Sequence, residues 1–241
     1  MSTLVISDLH LQEDRPDITG AFLRFLGGPA RDAKALYILG DLFESWIGDD
    51  DDSALAAEVQ AALRQCTESG IVCHVMHGNR DFLIGERFAA ATGVILLDDP
   101  TVVDLHGLPT LLMHGDTLCT GDAAYLAFRA QVRDPAWQAR FLSQPIEARR
   151  VFAWHAREQS RLHTGRAAAE LMDVTPAAVV EAMRKAGVTR LIHGHTHRPG
   201  THSVEIPGLG HAKRIVLGDW DRGAYALVVT AGACRPMTGL T

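Results

Sequence analysis

The chain predicts an α/β (α+β) fold with a helical insertion. Three observations carry this. Apolar, strand-like runs alternate with helical stretches over the first hundred residues. Five such runs stop at a short group of carboxylates, imidazoles or an amide. Between residues 120 and 173 the alternation gives way to helices alone. Alternating strands and helices bury a sheet beneath outer helices.

The elements follow in order. A strand over 3–7 leads to a helix near 17–27, and a strand over 35–39 to a helix near 54–69, with Leu55, Val59, Ala62 and Leu63 at helical spacing. A strand over 71–77 leads to a helix near 83–91. Short strands follow near 94–97, 101–105 and 109–113, with Asp98-Asp99-Pro100 and His106-Gly107 as turns. The helices of 120–173 break near Asp134-Pro135 and Gln144-Pro145. Thr175-Pro176 reads as the N-cap and first turn of a further helix. Strands resume at 189–193, 200–206, 213–217 and 223–230. No repeat or linker divides the chain, so 1–241 reads as one domain carrying 120–173 as an insertion.

Composition narrows the class. At 241 residues and 47% hydrophobic, the chain can bury a sizeable core. No apolar run approaches the roughly 20 residues of a membrane span, and the first residues read as a strand rather than a secretory signal. Cys66, Cys73, Cys119 and Cys234 form no C-x-x-C pair, which suits reduced thiols in the cytoplasm. A net charge of −6 argues against nucleic acid as a partner. The segment 129–166 is different: eight arginines face three acidic residues, a local excess of +5. By itself this reads as a solvated helix surface, with an anion site or an anionic membrane surface as the alternative.

The chemistry lies where strands end. Asp8-Leu9-His10, Gly40-Asp41, Gly78-Asn79-Arg80-Asp81, His114-Gly115-Asp116 and Gly194-His195-Thr196-His197 each follow an apolar run. Mixed Asp, His and Asn donors suit Mn, Fe, Zn or Co. Two such ions about 3.5–4 Å apart can clamp both sides of a phosphoryl displacement. Asp8 and His10 lie two residues apart, so on an ideal strand they share one face. His195 and His197 repeat that spacing beside Gly194, which allows close backbone approach. Any one motif is common by chance; five in this order are not explained by core packing.

D-x-H, G-D, G-N-x-D, H-G-D and G-H-T-H are the motifs of calcineurin-like metallophosphoesterases, and the chain resembles that family over nearly its whole length. The resemblance implies two mixed sheets flanked by helices. Gly40 to Asp51, Gly78 to Phe82 and Leu217 to Trp220, together with Arg80 and the helical insert, resemble one branch of it: the UDP-2,3-diacylglucosamine pyrophosphatases of lipid A biosynthesis in Gram-negative bacteria. That resemblance implies two Mn²⁺ ions, with Fe, Zn or Co open. One would be held by Asp8, His10, Asp41 and His197, the other by Asp41, Asn79, His114 and His195, with Asp41 between them. It implies metal-activated water attacking the α-phosphorus of UDP-2,3-diacylglucosamine, giving UMP and 2,3-diacylglucosamine 1-phosphate (lipid X). Asp41, Asn79, Arg80 and His195 would be catalytic.

Substrate contacts implied by the same resemblance are Asn79, Arg80, Asp122, Ser160, Thr164, His195 and position 167, with Tyr125 near the sugar. Position 167 is often lysine in the family and is Ala167 here. Arg166 is adjacent, but one helical residue turns a side chain by roughly 100°; Arg157 and Arg161 are other candidates. Phe128, Trp137, Phe141, Phe152 and Trp154 are candidates to line an acyl groove. A peripheral place on the cytoplasmic face of the inner membrane follows from the lipid substrate. No obligate protein partner is inferred.

Other residues carry weaker expectations. Asp49 to Asp52 reads as a solvated loop rather than a third metal site. Asp81 and Asp116 are candidates to orient Asn79 and His114, with turn formation as the competing role. Glu44 stays open. His74, His77, His155, His163, His202 and His211 lack ligand-like company. Asp219 and Trp220 would support the site from a late strand. The alternatives are another metallophosphoesterase (a phosphodiesterase, a dinucleotide polyphosphate hydrolase or a protein phosphatase) or a scaffold that has lost its metals; no ligand position is missing, which disfavours the scaffold.

Overall fold

The structure is a computed structural model and describes residues 2–164 and 173–239. The first half alternates as expected: β1 (Ser2–Ile6), α1 (Pro16–Gly27), β2 (Ala33–Leu39), α2 (Ala54–Glu68), β3 (Val72–Met76), α3 (Glu86–Thr92) and β4 (Ile95–Leu97). β5 (Thr101–Asp104) and β6 (Pro109–Met113) follow. The insert then forms α4 (Ala123–Val132), α5 (Pro135–Leu142) and α6 (Ile146–Thr164), broken at the two prolines. α7 (Pro176–Ala186), β7 (Arg190–His193), β8 (Gly200–Ile206), β9 (Gly210–Val216), β10 (Tyr225–Thr230) and β11 (Ala233–Thr238) complete the described chain.

Two mixed sheets result, ordered β11-β10-β1-β2-β3-β4 and β5-β6-β7-β9-β8. β1 to β4 run parallel, as do β6, β7 and β9. The central strands β1, β2, β6 and β7 carry buried apolar runs because both their faces are covered, whereas β5, β8 and β11 at the sheet edges are largely exposed. Along β1, Leu4 and Ile6 face the layer of α1 and α2, while Val5 faces the other sheet. Along β6, Leu111 and Met113 face α7, and Leu112 turns inward to meet Val5, Leu39 and Ile192. Among the described residues, no helix is long and apolar enough to cross a membrane. All four cysteines are free thiols.

Three features differ from expectation. β11 was not anticipated: Cys-Arg-Pro-Met lacks alternation, yet as an edge strand pairing only with β10 it tolerates Pro236, which has no N–H to give. Thr175 stands at the N-cap of α7 without capping it; its hydroxyl instead pairs with that of Thr120 at 2.6 Å. Asp219 and Trp220 sit in the loop between β9 and β10 rather than in a strand.

The loop of four aspartates is not merely solvated. Asp49 accepts from the backbone N–H groups of Gly85 and Phe88 at 2.9 Å, supplying α3 with the cap that Gly85 cannot. Asp50 receives both terminal nitrogens of Arg149, a side chain only 2% exposed whose Nη1 also donates to the Ile47 carbonyl at 2.6 Å. Arg150 pairs with Asp52 and Glu147. Arg129 donates to Asp116 at 2.6 Å and Arg133 to the Gly78 carbonyl at 2.7 Å. Much of the basic segment is therefore spent on docking the insert rather than on a solvated surface.

Candidate dinuclear metal centre

β1, β2 and β3 of one sheet and β6 and β7 of the other deliver their C-terminal loops to one rim, where α/β sheets gather ligands. The loops are tied together by backbone bonds: Asp8 N to Gly40 O at 3.1 Å, His10 N to Asp41 O at 3.0 Å and Gly194 N to His114 O at 2.8 Å. Asp8, His10, Asp41, His195 and His197 all hold positive φ, between 50° and 68°. Among the described residues only His106 shares this conformation outside glycine. Such strain, about 1–3 kcal/mol per residue, concentrates at functional sites. It also corrects the shared-face reading of Asp8 and His10: both lie past the end of β1, and left-handed backbone, not strand alternation, turns them inward.

Close approach needs glycine at two points. A Cβ at Gly78 would lie 2.0 Å from Asp41 Oδ1, and one at Gly194 would lie 2.3 Å from Asp8 Oδ2.

The donors fall into two groups. Asp8, His10 and His197 converge, with Nε2 of the two imidazoles 3.3 Å apart and His197 Nε2 3.5 Å from Asp8 Oδ1. Asp8, Asp41 and His114 form the other group, beside Asn79, whose Oδ1 is 2.8 Å from His114 Nε2 and 2.9 Å from His195 Nδ1. Asp41 stands between: Oδ2 is 3.7 Å from His10 Nε2 and Oδ1 is 3.8 Å from His114 Nε2. All seven expected ligand residues thus come together.

Outer partners turn the imidazoles. Glu44 Oε2 lies 2.6 Å from His10 Nδ1, the Leu39 carbonyl accepts from His114 Nδ1 at 2.9 Å, and Asp219 lies 3.4 Å from His197 Nδ1. Each leaves Nε2 directed at the centre, the arrangement of metal-binding histidines. Glu44, undecided from sequence, is thereby placed, and its second oxygen pairs with Arg157 of the insert. Asp81 takes the competing role of turn formation, and Asp116 does not orient His114. Asp81 accepts from the backbone N–H groups of Asp41, Leu42 and Gly78, so it shapes loops rather than orienting Asn79. Asp116 accepts from the Tyr125 hydroxyl and Arg129 rather than from His114.

Electrostatics agree with a cation site. Asp8 and Asp41 are almost fully buried. Burial lowers the affinity of His114 for a proton, but Asp41, Asp116 and Asp8 overcome it and push its pKa up to about 9. Burial and the neighbouring His114 push His195 down to about 3. The buried carboxylates thus demand positive charge, which a proton on His114 supplies and divalent cations would supply more fully. The donor set fits such ions.

A cavity of about 860 Å³ opens over this centre, lined by His10, Asp41, Asn79, Arg80, His195 and His197 on one side and by Phe128, Trp137, Phe141 and Phe152 of the insert on the other. Asp122, Tyr125, Arg157 and Ser160 also line it. Asp122 caps α4 through Tyr125 N at 2.9 Å. Arg80 donates from Nη2 to Ser160 Oγ at 3.1 Å, and its buried Nε has no partner among the described residues. Thr164 is the last residue of α6, while Arg166 and Ala167 lie outside the described residues. Trp154 is not part of the groove: it is 61% exposed on the outer side of α6.

The family model of calcineurin-like phosphoesterases matches residues 1–199. A UDP-2,3-diacylglucosamine hydrolase of Marinobacter nauticus is 54% identical over 94% of this chain and 93% of its own length. Proteins of the same name from Pseudomonas paraeruginosa (53% identical, 98% of both chains) and Cellvibrio japonicus (51%, 96% of both) are similar. Fold, motifs and matches agree: the chain belongs to the calcineurin-like phosphoesterase family.

Proposed function

We propose that this chain hydrolyses the pyrophosphate bond of UDP-2,3-diacylglucosamine, releasing UMP and 2,3-diacylglucosamine 1-phosphate for lipid A synthesis. One observation carries the reading: the polar donor cluster and the aromatic wall of the insert share a single cavity, which suits a substrate with a pyrophosphate at one end and acyl chains at the other. Relatives sharing about half their residues with this chain bear that enzyme name.

Two divalent cations, read as Mn²⁺ and held by Asp8, His10, Asp41, His197, Asn79, His114 and His195, would supply Lewis acidity and an activated water. The protein's own residues do the rest. Arg80 sets a guanidinium at the cavity wall, held by Ser160, with Nε left for a phosphate oxygen. Its backbone N–H donates to Asp41 Oδ1 at 2.9 Å, so it also fixes the carboxylate between the two donor groups. The leaving group is a phosphate whose second pKa is about 6, so it needs no general acid. Phe128, Trp137, Phe141 and Phe152 offer the acyl chains an apolar surface that keeps water out.

The test is UMP release from the diacylated UDP-sugar with Mn²⁺, lost on adding EDTA and far slower with UDP-glucose. Equal rates on UDP-glucose or bis(p-nitrophenyl) phosphate favour a general phosphodiesterase instead. In ¹⁸O water, attack at the α-phosphorus puts label in UMP; label in the sugar phosphate contradicts it. A peripheral place on the anionic inner membrane is part of the proposal, supported by Val151 and Trp154, 57% and 61% exposed on the outer side of the insert. Flotation with anionic vesicles tests it; no co-migration at low salt contradicts it.

A further inference from the structure

A second hollow, of about 330 Å³, lies against the Gly194–His197 loop. Thr196 and Arg198 line both it and the main cavity, so the two meet at the metal loop. Its other walls are mixed: Pro199 and Val216 are apolar, while Arg214 and His202 from the β8–β9 hairpin, and Asp173, whose Oδ2 pairs with Arg198 Nη1 at 2.6 Å, are polar. None of these residues has a part in the chemistry above.

The hollow is built rather than incidental. His193, the last residue of β7, is wholly buried and belongs to neither donor group. Its Nδ1 lies 2.8 Å from the Gly194 carbonyl, which only accepts, so Nδ1 carries the hydrogen and Nε2 the lone pair. That lone pair receives Arg214 Nη1 at 3.2 Å. A buried neutral imidazole thus fixes a guanidinium that has five N–H groups, leaving others for a ligand. Thr196 Oγ1 is buried with no partner among the described residues.

We propose that this hollow is the nucleoside subsite, holding the uridine half of the substrate and of the product UMP. The inference rests on the proposed function. From the phosphorus under attack, the substrate extends two ways. The acyl side matches the aromatic wall; the uridine needs a second recess next to the metal loop, with apolar surface for its ring and polar groups for its edges, and the hollow that shares Thr196 and Arg198 with the main cavity offers both. Arg214 offers donors to the uracil carbonyl oxygens, Asp173 an acceptor to the ribose hydroxyls, and His202 a flat ring on which a pyrimidine can stack.

The test is calorimetric titration of the full chain with UMP and with inorganic phosphate, for the unaltered protein, Arg214→Gln and the exposed-site variant His202→Ala. UMP should bind more tightly than phosphate. Arg214→Gln should weaken UMP at least about tenfold, as loss of a charge-assisted hydrogen bond does, and His202→Ala severalfold, with phosphate binding unchanged in both. UMP affinity equal in all three proteins, or no better than that of phosphate, overturns the subsite. Turnover of the diacylated UDP-sugar, measured in parallel, judges the proposed function separately: UMP bound as expected by a chain without turnover leaves the subsite standing and overturns the reaction.

Discussion

Gly78 and Gly194 show how little slack the centre has at the scale of single residues. A methyl group at either position would occupy the space of an Asp41 or Asp8 carboxylate oxygen. Gly78→Ala should therefore displace Asp41 and lower bound metal below two equivalents, read by elemental analysis of the purified protein. Glu44 acts through His10, whose Nδ1 it holds at 2.6 Å. Glu44→Ala should weaken metal affinity by about 10–100-fold, the usual cost of losing such an outer partner, measured by competition with a chelator. Unchanged affinity would show that Glu44 serves only to pair with Arg157. Arg80→Ala should lower kcat by about 10²–10³ if its guanidinium meets charge formed in the transition state. A change confined to KM would assign it to binding alone.

The insert docks on the body through charge as well as through aromatic packing. Trp137 and Phe141 stack at 5.0 Å and join the core around Trp46 and Phe88, while Arg149 reaches Asp50 and the Ile47 carbonyl. Arg149→Ala would strand the Ile47 carbonyl and should lower the unfolding free energy by about 1–3 kcal/mol, measured in urea. The Arg149 hydrogen bond holds the Asp50 carboxyl below its ordinary value of 3.8. A carboxyl depressed in the folded state stabilises the docked form above that ordinary value, and the contribution fades as pH falls through the lower folded value. Proteolysis of the insert should accordingly be slow at neutral pH and rise in acid below about 3.8, whereas Asp50→Asn, with no carboxylate for Arg149, should already be cut faster at neutral pH and show a smaller acid-dependent rise.

Across the whole molecule, legibility follows sequence distance. The strands and the five motifs were readable because strands buried on both faces are unbroken apolar runs, and because the donors cluster within one to four residues of each strand end. The helical insert announced itself by its prolines. What stayed hidden depends on contacts far along the chain. Asp50 meets Arg149 from 99 residues away, and Arg133 meets the Gly78 carbonyl from 55; no local pattern reports such pairs. Charge counting therefore saw a basic patch where the fold has docking pairs. Backbone hand was equally invisible: His10 and Asp41 are ordinary residues in sequence, and only the assembled loops force them into left-handed conformations. Glu44 could be singled out but not assigned, since its partner His10 lies on another strand's loop.

Anomalous diffraction at the manganese edge, from crystals grown with excess Mn²⁺, tests the central claim most directly. Two peaks about 3.5–4 Å apart, with the Asp41 carboxylate between them and His10, His114, His195 and His197 around them, are the predicted result. A single peak, or none among these side chains, would contradict it.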